Sequence, residues 1–128
     1  MASSEKQIFP FFHGVPVAPL KVTGPRGDVH LFERALVDTG AALTSVPISV
    51  CRQLDLPYVF TRRIYTFSGW VNVRIHSAEA EFLGRTFKLN VASHDLPKEI
   101  PIRAIVGRDI LSAFLTCFDG ENVTFQLK

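Results

Sequence analysis

Most of this chain alternates apolar and polar positions at the two-residue period of strands, in short runs broken by Gly, Pro and Asp. Val17, Leu20 and Val22 mark a strand over 16–23, and Gly24-Pro25-Arg26-Gly27-Asp28 turns it. Residues 29–37 return as a second strand that runs into Asp38. A short strand over 42–47 stops at Pro47. Residues 48–54 read as a helix, because Val50, Cys51 and Leu54 recur at helical spacing. Residues 58–66, rich in β-branched and aromatic side chains, predict a strand that Phe67-Ser68-Gly69 turns back. Val71, Val73 and Ile75 then alternate with Asn72, Arg74 and His76, so the returning strand has one apolar and one polar face. A further hairpin joins 79–83 to 86–91 across Gly84-Arg85, with Phe82, Phe87, Leu89 and Val91 as its core positions. A polar loop over 93–101 leads to a strand at 102–106, a helix at 109–114, and a closing hairpin of 115–118 with 123–127. The segment Ile8-Phe9-Pro10-Phe11-Phe12 is apolar enough for an edge strand or a subunit interface, behind a flexible tail over 1–7. The class is mainly β, a small closed barrel with one or two short helices.

Two of the apolar runs end in chemistry. Ala35-Leu36-Val37 leads into Asp38-Thr39-Gly40-Ala41, and Ala104-Ile105-Val106 leads into Gly107-Arg108-Asp109-Ile110-Leu111. A carboxylate at the end of a buried strand costs free energy unless it is hydrogen-bonded or used. Thr39 offers a hydroxyl, and Gly40 lets the backbone turn tightly enough to aim amides at the acid. Asp-Thr-Gly alone also fits a strand that ends in an Asx-type turn. Taken with its flanks, the second stretch and their order, the pattern resembles the retropepsin-like aspartic peptidases, single-lobe relatives of pepsin. The resemblance runs over roughly 17–127.

That resemblance implies the acid-protease type of barrel and a homodimer. Peptide hydrolysis by carboxylates needs two of them, close enough to share one proton. The chain has a single Asp-Thr-Gly, so the second Asp38 comes from a second copy across a two-fold axis. Asp38, Thr39 and Gly40 are then catalytic, with Thr39 bonding across the axis. Ala41 keeps the substrate-facing surface small. Phe67, Ser68, Gly69 and Trp70 form the tip of a flap over an extended polypeptide substrate. Gly69-Trp70-Val71-Asn72-Val73-Arg74 is similar to the run that follows a retroviral flap tip, although this tip is poorer in glycine. Gly107, Arg108 and Asp109 are structural. Arg108 opens a helix, where a cation opposes the dipole, and is expected to pair with an acid. Retroviral members carry that acid where this chain has Ala42. The expected organisation is an N-terminal tail and interface segment over 1–12 and a peptidase domain over 13–128. Fold does not dictate activity, so a catalytically weak or inactive dimeric binding module of the same fold is the alternative. A purely structural β-domain, with Asp38 merely ending a strand, is a third reading.

Composition narrows the field. The 128 residues, 47% hydrophobic and 20% charged, make one globular domain with a real core. A net charge of +2 gives no reason to expect nucleic acid or an anionic membrane as a partner. Arg62-Arg63, the only adjacent basic pair, reads as a solvated strand face. Cys51 and Cys117 are far apart, without CxxC spacing, and read as buried thiols or helix-face residues, with a disulfide open but unsupported. His13, His30, His76 and His94 have no metal-ligand spacing, and no phosphate or dinucleotide loop occurs, so no metal or cofactor is expected. No stretch is long enough to span a membrane and the first residues do not form a signal peptide, which makes the cytoplasm the expected compartment.

Overall fold

A computed structural model describes residues 5–66 and 68–128. The described residues are mainly β, with ten strands and two short helices among them. Strands β2 (Val17–Thr23) and β3 (Val29–Val37) form an antiparallel hairpin across the Gly24–Asp28 turn, closed by a 2.8 Å bond from Gly24 N to Asp28 O. Ala18 pairs with Ala35 but Leu20 pairs with Phe32, so β3 carries one extra residue. That bulge shifts the buried set of β3 to Phe32, Ala35 and Val37, which is not a strict alternation.

Seven strands form one sheet in the order β2, β3, β8 (Ile105–Val106), β4 (Ser45–Val46), β7 (Arg85–Ser93), β6 (Gly69–Phe82) and β5 (Tyr58–Thr66). A further pairing, Val22 with Ala80, joins β2 to β6 and closes the sheet into a ring. Closure removes the free edges that an open sheet would present. Only β5 projects from the ring, as the outer strand of the β5–β6 hairpin. A second sheet of three strands, β1 (Lys6–Pro10), β10 (Asn122–Leu127) and β9 (Phe114–Phe118), covers one side. Phe82 of the ring meets Phe114 and Phe125 of this sheet edge-on, at 5.7 and 5.4 Å between centroids. These aromatic contacts join the two sheets in one core with Leu20, Val22, Val91 and Val106. Helix α1 (Ile48–Gln53) lays Val50 and Cys51 on that core, and α2 (Arg108–Leu111) adds Ile110 and Leu111.

The structure departs from the sequence expectations at five places. The strand expected over 42–47 is regular only at Ser45–Val46. The strand expected over 79–83 is not separate: residues 79–82 are the end of β6, which runs unbroken for 14 residues, and Leu83 falls in the turn. Small Ser77 and Ala78 continue its pairing with Asn90 and Leu89, and the strand simply changes neighbours along its length. The helix expected over 109–114 spans only Arg108–Leu111, because Phe114 is drawn into β9 by its aromatic partners. The strand expected over 102–106 is regular only at Ile105–Val106, although Ile102 and Ala104 are buried. Lys6 and Gln7, expected in a flexible tail, pair with Gln126 and Phe125. Residues 1–4 of that tail lie outside the described residues.

Candidate active site

The pairing of β3 with β8 builds the site. The two strands are parallel, with Leu36 beside Ile105 and Val37 beside Val106. Parallel neighbours leave a sheet at the same end, so Asp38 and Gly107 emerge side by side although they are far apart in sequence. Asp38 N donates to Val106 O at 3.0 Å and ties the two exits together. The chain then turns at once. Gly40 N donates to Asp38 Oδ1 at 2.9 Å, and Ala41 N to Asp38 O at 3.2 Å. The Asp38 carboxylate is therefore oriented by its own loop while staying half-exposed, next to exposed Thr39 and Gly40. Among the described residues Gly40, not the Thr39 hydroxyl, supplies the bond that holds it.

The second stretch braces this loop from below. A Cβ on Gly107 would lie 2.7 Å from the Leu43 carbonyl carbon and 2.9 Å from Ala41 O, so only glycine lets the two backbones meet. Arg108 N donates to Ala41 O at 2.8 Å. The Arg108 guanidinium donates to Thr39 O at 2.9 Å. This corrects the expectation that Arg108 pairs with an acid: among the described residues its charge is met by a carbonyl of the Asp38 loop, and its salt-bridge role is absent. Asp109, in the first turn of α2, supplies the negative charge that the helix start favours. Its carboxylate accepts from Thr44 N at 2.9 Å and from Thr44 Oγ1 at 2.7 Å. Thr44 Oγ1 in turn accepts from Gly107 N at 3.2 Å.

Thr44 was not among the sequence candidates. It is fully buried, and its hydroxyl bonds both to Gly107 and to Asp109. The only signal for it in the sequence is a hydroxyl at the end of an apolar run, which a strand surface would explain equally well.

The β5–β6 hairpin stands over one side of this floor. Its apolar face carries Ile64, Val71, Val73 and Ile75, which pack with Leu43, just past Ala41 and Ala42. Trp70 follows the opposite parity from Val71 and lies on the outer face, 59% exposed, with Tyr65 edge-on at 5.1 Å. Gly69 takes a φ of +104°, which suits its place beside the turn. Ser68 is exposed at the tip, and Phe67 lies outside the described residues.

The remaining candidates fall away from this cluster. His76 is buried and donates from Nδ1 to Leu56 O at 2.9 Å. Both cysteines are free; burial pushes the Cys51 thiol above its ordinary range, while Cys117 is exposed. Among the described residues no three His, Cys, Asp or Glu side chains gather as metal ligands would.

No family model matches this chain, and no curated protein matches it by sequence. Solved structures do. A retropepsin-like aspartic protease from Rickettsia conorii matches with a TM-score of 0.58 and 15% identity, over 94% of this chain and 92% of that one. The protease of EIAV, solved with the inhibitor HBY-793, matches with a TM-score of 0.57 and 20% identity, over 79% and 88%. The protease of simian foamy virus matches with a TM-score of 0.50 and 18% identity, over 73% and 91%. The fold is retropepsin-like. The one Asp-Thr-Gly of this chain places Asp38 directly after the end of β3.

Proposed function

We propose that the protein is a homodimeric aspartic endopeptidase that hydrolyses peptide bonds in extended polypeptides. The observation that supports this most is the setting of Asp38. Its carboxylate is held by the Gly40 amide, half-open to solvent, on a loop that Arg108 and Gly107 lock to the second motif. A purely structural acid at a strand end has no need of that bracing or of that exposure.

In the proposed mechanism two copies bring their Asp38 side chains together on a two-fold axis. Two carboxyls at close range share one proton, because two adjacent negative charges repel. The ionised Asp38 takes a proton from water, and the water oxygen attacks the scissile carbonyl carbon. Asp38 of the partner subunit gives its proton to the carbonyl oxygen. When the tetrahedral diol collapses, the first Asp38 gives its proton to the amide nitrogen, the C–N bond breaks, and a diol hydroxyl returns its proton to Asp38 of the partner subunit, so the pair again shares one proton. Thr39 joins the two loops across the axis, and Gly40 and Ala41 leave room for the substrate backbone. The β5–β6 hairpin, with Ser68 and Gly69 at its tip and Trp70 beside them, closes over the substrate. Segment 1–12 contributes to the dimer surface through β1, against domain 13–128. No helix among the described residues is long and apolar enough to cross a membrane, and the proposed compartment is the cytoplasm.

Cleavage of a peptide library, read by mass spectrometry, tests this reading. The wild type is expected to cut and pepstatin to block it. Asp38→Asn should lower the rate by about a thousandfold or more, since the proton transfers depend on the carboxyl pair. A dimer that binds peptides and cuts none would be a binding module. Cleavage that survives in Asp38→Asn would remove Asp38 from the chemistry.

A further inference from the structure

The flap hairpin carries Arg62, Arg63 and Arg74 within a stretch, 56–78, that contains no Asp or Glu. Its three positive charges exceed the net charge of the whole chain, +2. The pairing register sorts the three by face. Arg63 pairs with Asn72 and Arg74 with Thr61 on one face, while Arg62 pairs with Val73 and Ile64 with Val71 on the other. On the outer face Arg63 sits 4.6 Å from the centre of the Trp70 ring, and Arg74 sits 4.0 Å from that of Tyr58. Both of these cations have an aromatic face as partner.

Arg62 has none. It shares its face with Ile64 and Val73, which pack with Leu43 on the Asp38 side of the hairpin. It is exposed, and among the described residues no hydrogen bond, ion pair or ring engages its guanidinium. An unpartnered guanidinium beside an apolar wall is tolerable in water. It becomes costly once a substrate displaces that water, unless the substrate brings a negative charge. The planar fork of Arg fits a carboxylate with two parallel hydrogen bonds.

We propose that Arg62 determines specificity at this face of the flap, selecting extended polypeptides with an Asp or Glu side chain at one position under the hairpin. The inference rests on the peptidase reading for its location, yet it is tested by binding and not by cleavage. A neutral side chain at that position leaves the guanidinium without a partner, and a Lys side chain adds repulsion. Arg63 and Arg74, turned outward, add only a field that salt screens.

Fluorescence polarisation with the non-cleaving Asp38→Asn protein tests it. Peptides carry a single Glu moved along an otherwise neutral sequence, each against its Gln counterpart. One position should favour Glu by about fivefold, the range of a partly exposed ion pair. Arg62→Gln should remove that preference, and Arg62→Glu should turn it toward Lys at the same position. Arg63→Gln should leave the Glu-to-Gln ratio within about twofold, because its side chain points away. A ratio near one at every position, an absence of binding by all Glu peptides, or equal loss in Arg63→Gln would overturn the proposal. Failure of the wild-type protein to cut would sink the peptidase reading instead, and leaves the binding result to stand by itself.

Discussion

Asp38 owes its position to residues that do not touch its carboxylate. Gly107 permits the backbone approach, Arg108 ties down Thr39 O, and Thr44 links Gly107 to the Asp109 carboxylate. Gly107→Ala would place a methyl 2.7 Å from a backbone carbon that cannot swing aside. It should cost about 2 kcal/mol in a denaturant titration, in the range of overpacked cores. Thr44→Val keeps the shape but removes the hydroxyl, leaving an Asp109 oxygen and the Gly107 amide short of a partner. A loss of about 2 kcal/mol is expected, and no loss would show that these bonds do not brace the loop. At the far hairpin, Asp119 Oδ1 accepts from the backbone N–H groups of Glu121 at 2.8 Å and Asn122 at 2.6 Å. These bonds lower its pKa below the usual 3.8. A depressed carboxyl stabilises the fold above the unfolded value and stops doing so as pH falls through the folded one. Asp119→Ala should therefore be less stable than wild type at neutral pH. The gap in urea midpoints should close as the pH falls below 3.8.

At the scale of elements, alternation and turn residues made most hairpins legible. The β2–β3 hairpin follows from the Gly24–Asp28 turn, and the β9–β10 hairpin from Asp119 and Gly120. What stayed hidden was decided by partners distant in sequence. Nothing local to Ile105–Val106 announces that it lies parallel to β3, yet that pairing puts Gly107 under the Asp38 loop. The continuity of β6 past His76 was invisible, because Ser77 and Ala78 are poor strand formers held there by β7. Arg108 was expected to seek a carboxylate, whereas the loop offered the Thr39 carbonyl first. The Asp38 and Gly107 stretches stood out only as a pair, by their apolar flanks, order and separation, since Asp-Thr-Gly alone also fits an Asx-type turn. Helix α1 was legible too, and it carries its own prediction. Cys51 faces the core, 3% exposed, and burial holds its thiol neutral above the ordinary range. In the native protein a thiol reagent should label Cys117 on β9 rapidly and Cys51 only on unfolding. Equal labelling rates would mean that α1 frays from the core.

Over the whole molecule the ring and the three-stranded sheet divide two tasks. The ring holds Asp38 on one of its ends, and the β1–β10–β9 sheet presents Ile8 and Leu115 outward, 62% and 54% exposed. If activity needs one Asp38 from each of two copies, it must depend on pairing and not on the amount of chain. Mixing wild type with an equal amount of Asp38→Asn, and letting subunits exchange, leaves about a quarter of the dimers with both carboxyls. Activity per total chain should then fall to about a quarter of the wild-type value, whereas chains that act alone would retain about half. Excess Asp38→Asn should extinguish the activity of a fixed amount of wild type, while an excess of unrelated protein should not. The pH profile of the surviving activity should remain a bell. It falls on the acid side when both carboxyls are protonated and on the alkaline side when neither is. Dilution provides the control: below the dissociation constant of the dimer, activity per chain should decline and then recover on reconcentration. Retention of half the activity in the equal mixture, after exchange is shown by mass-tagged subunits, would mean that one Asp38 suffices and that the shared-proton mechanism is wrong.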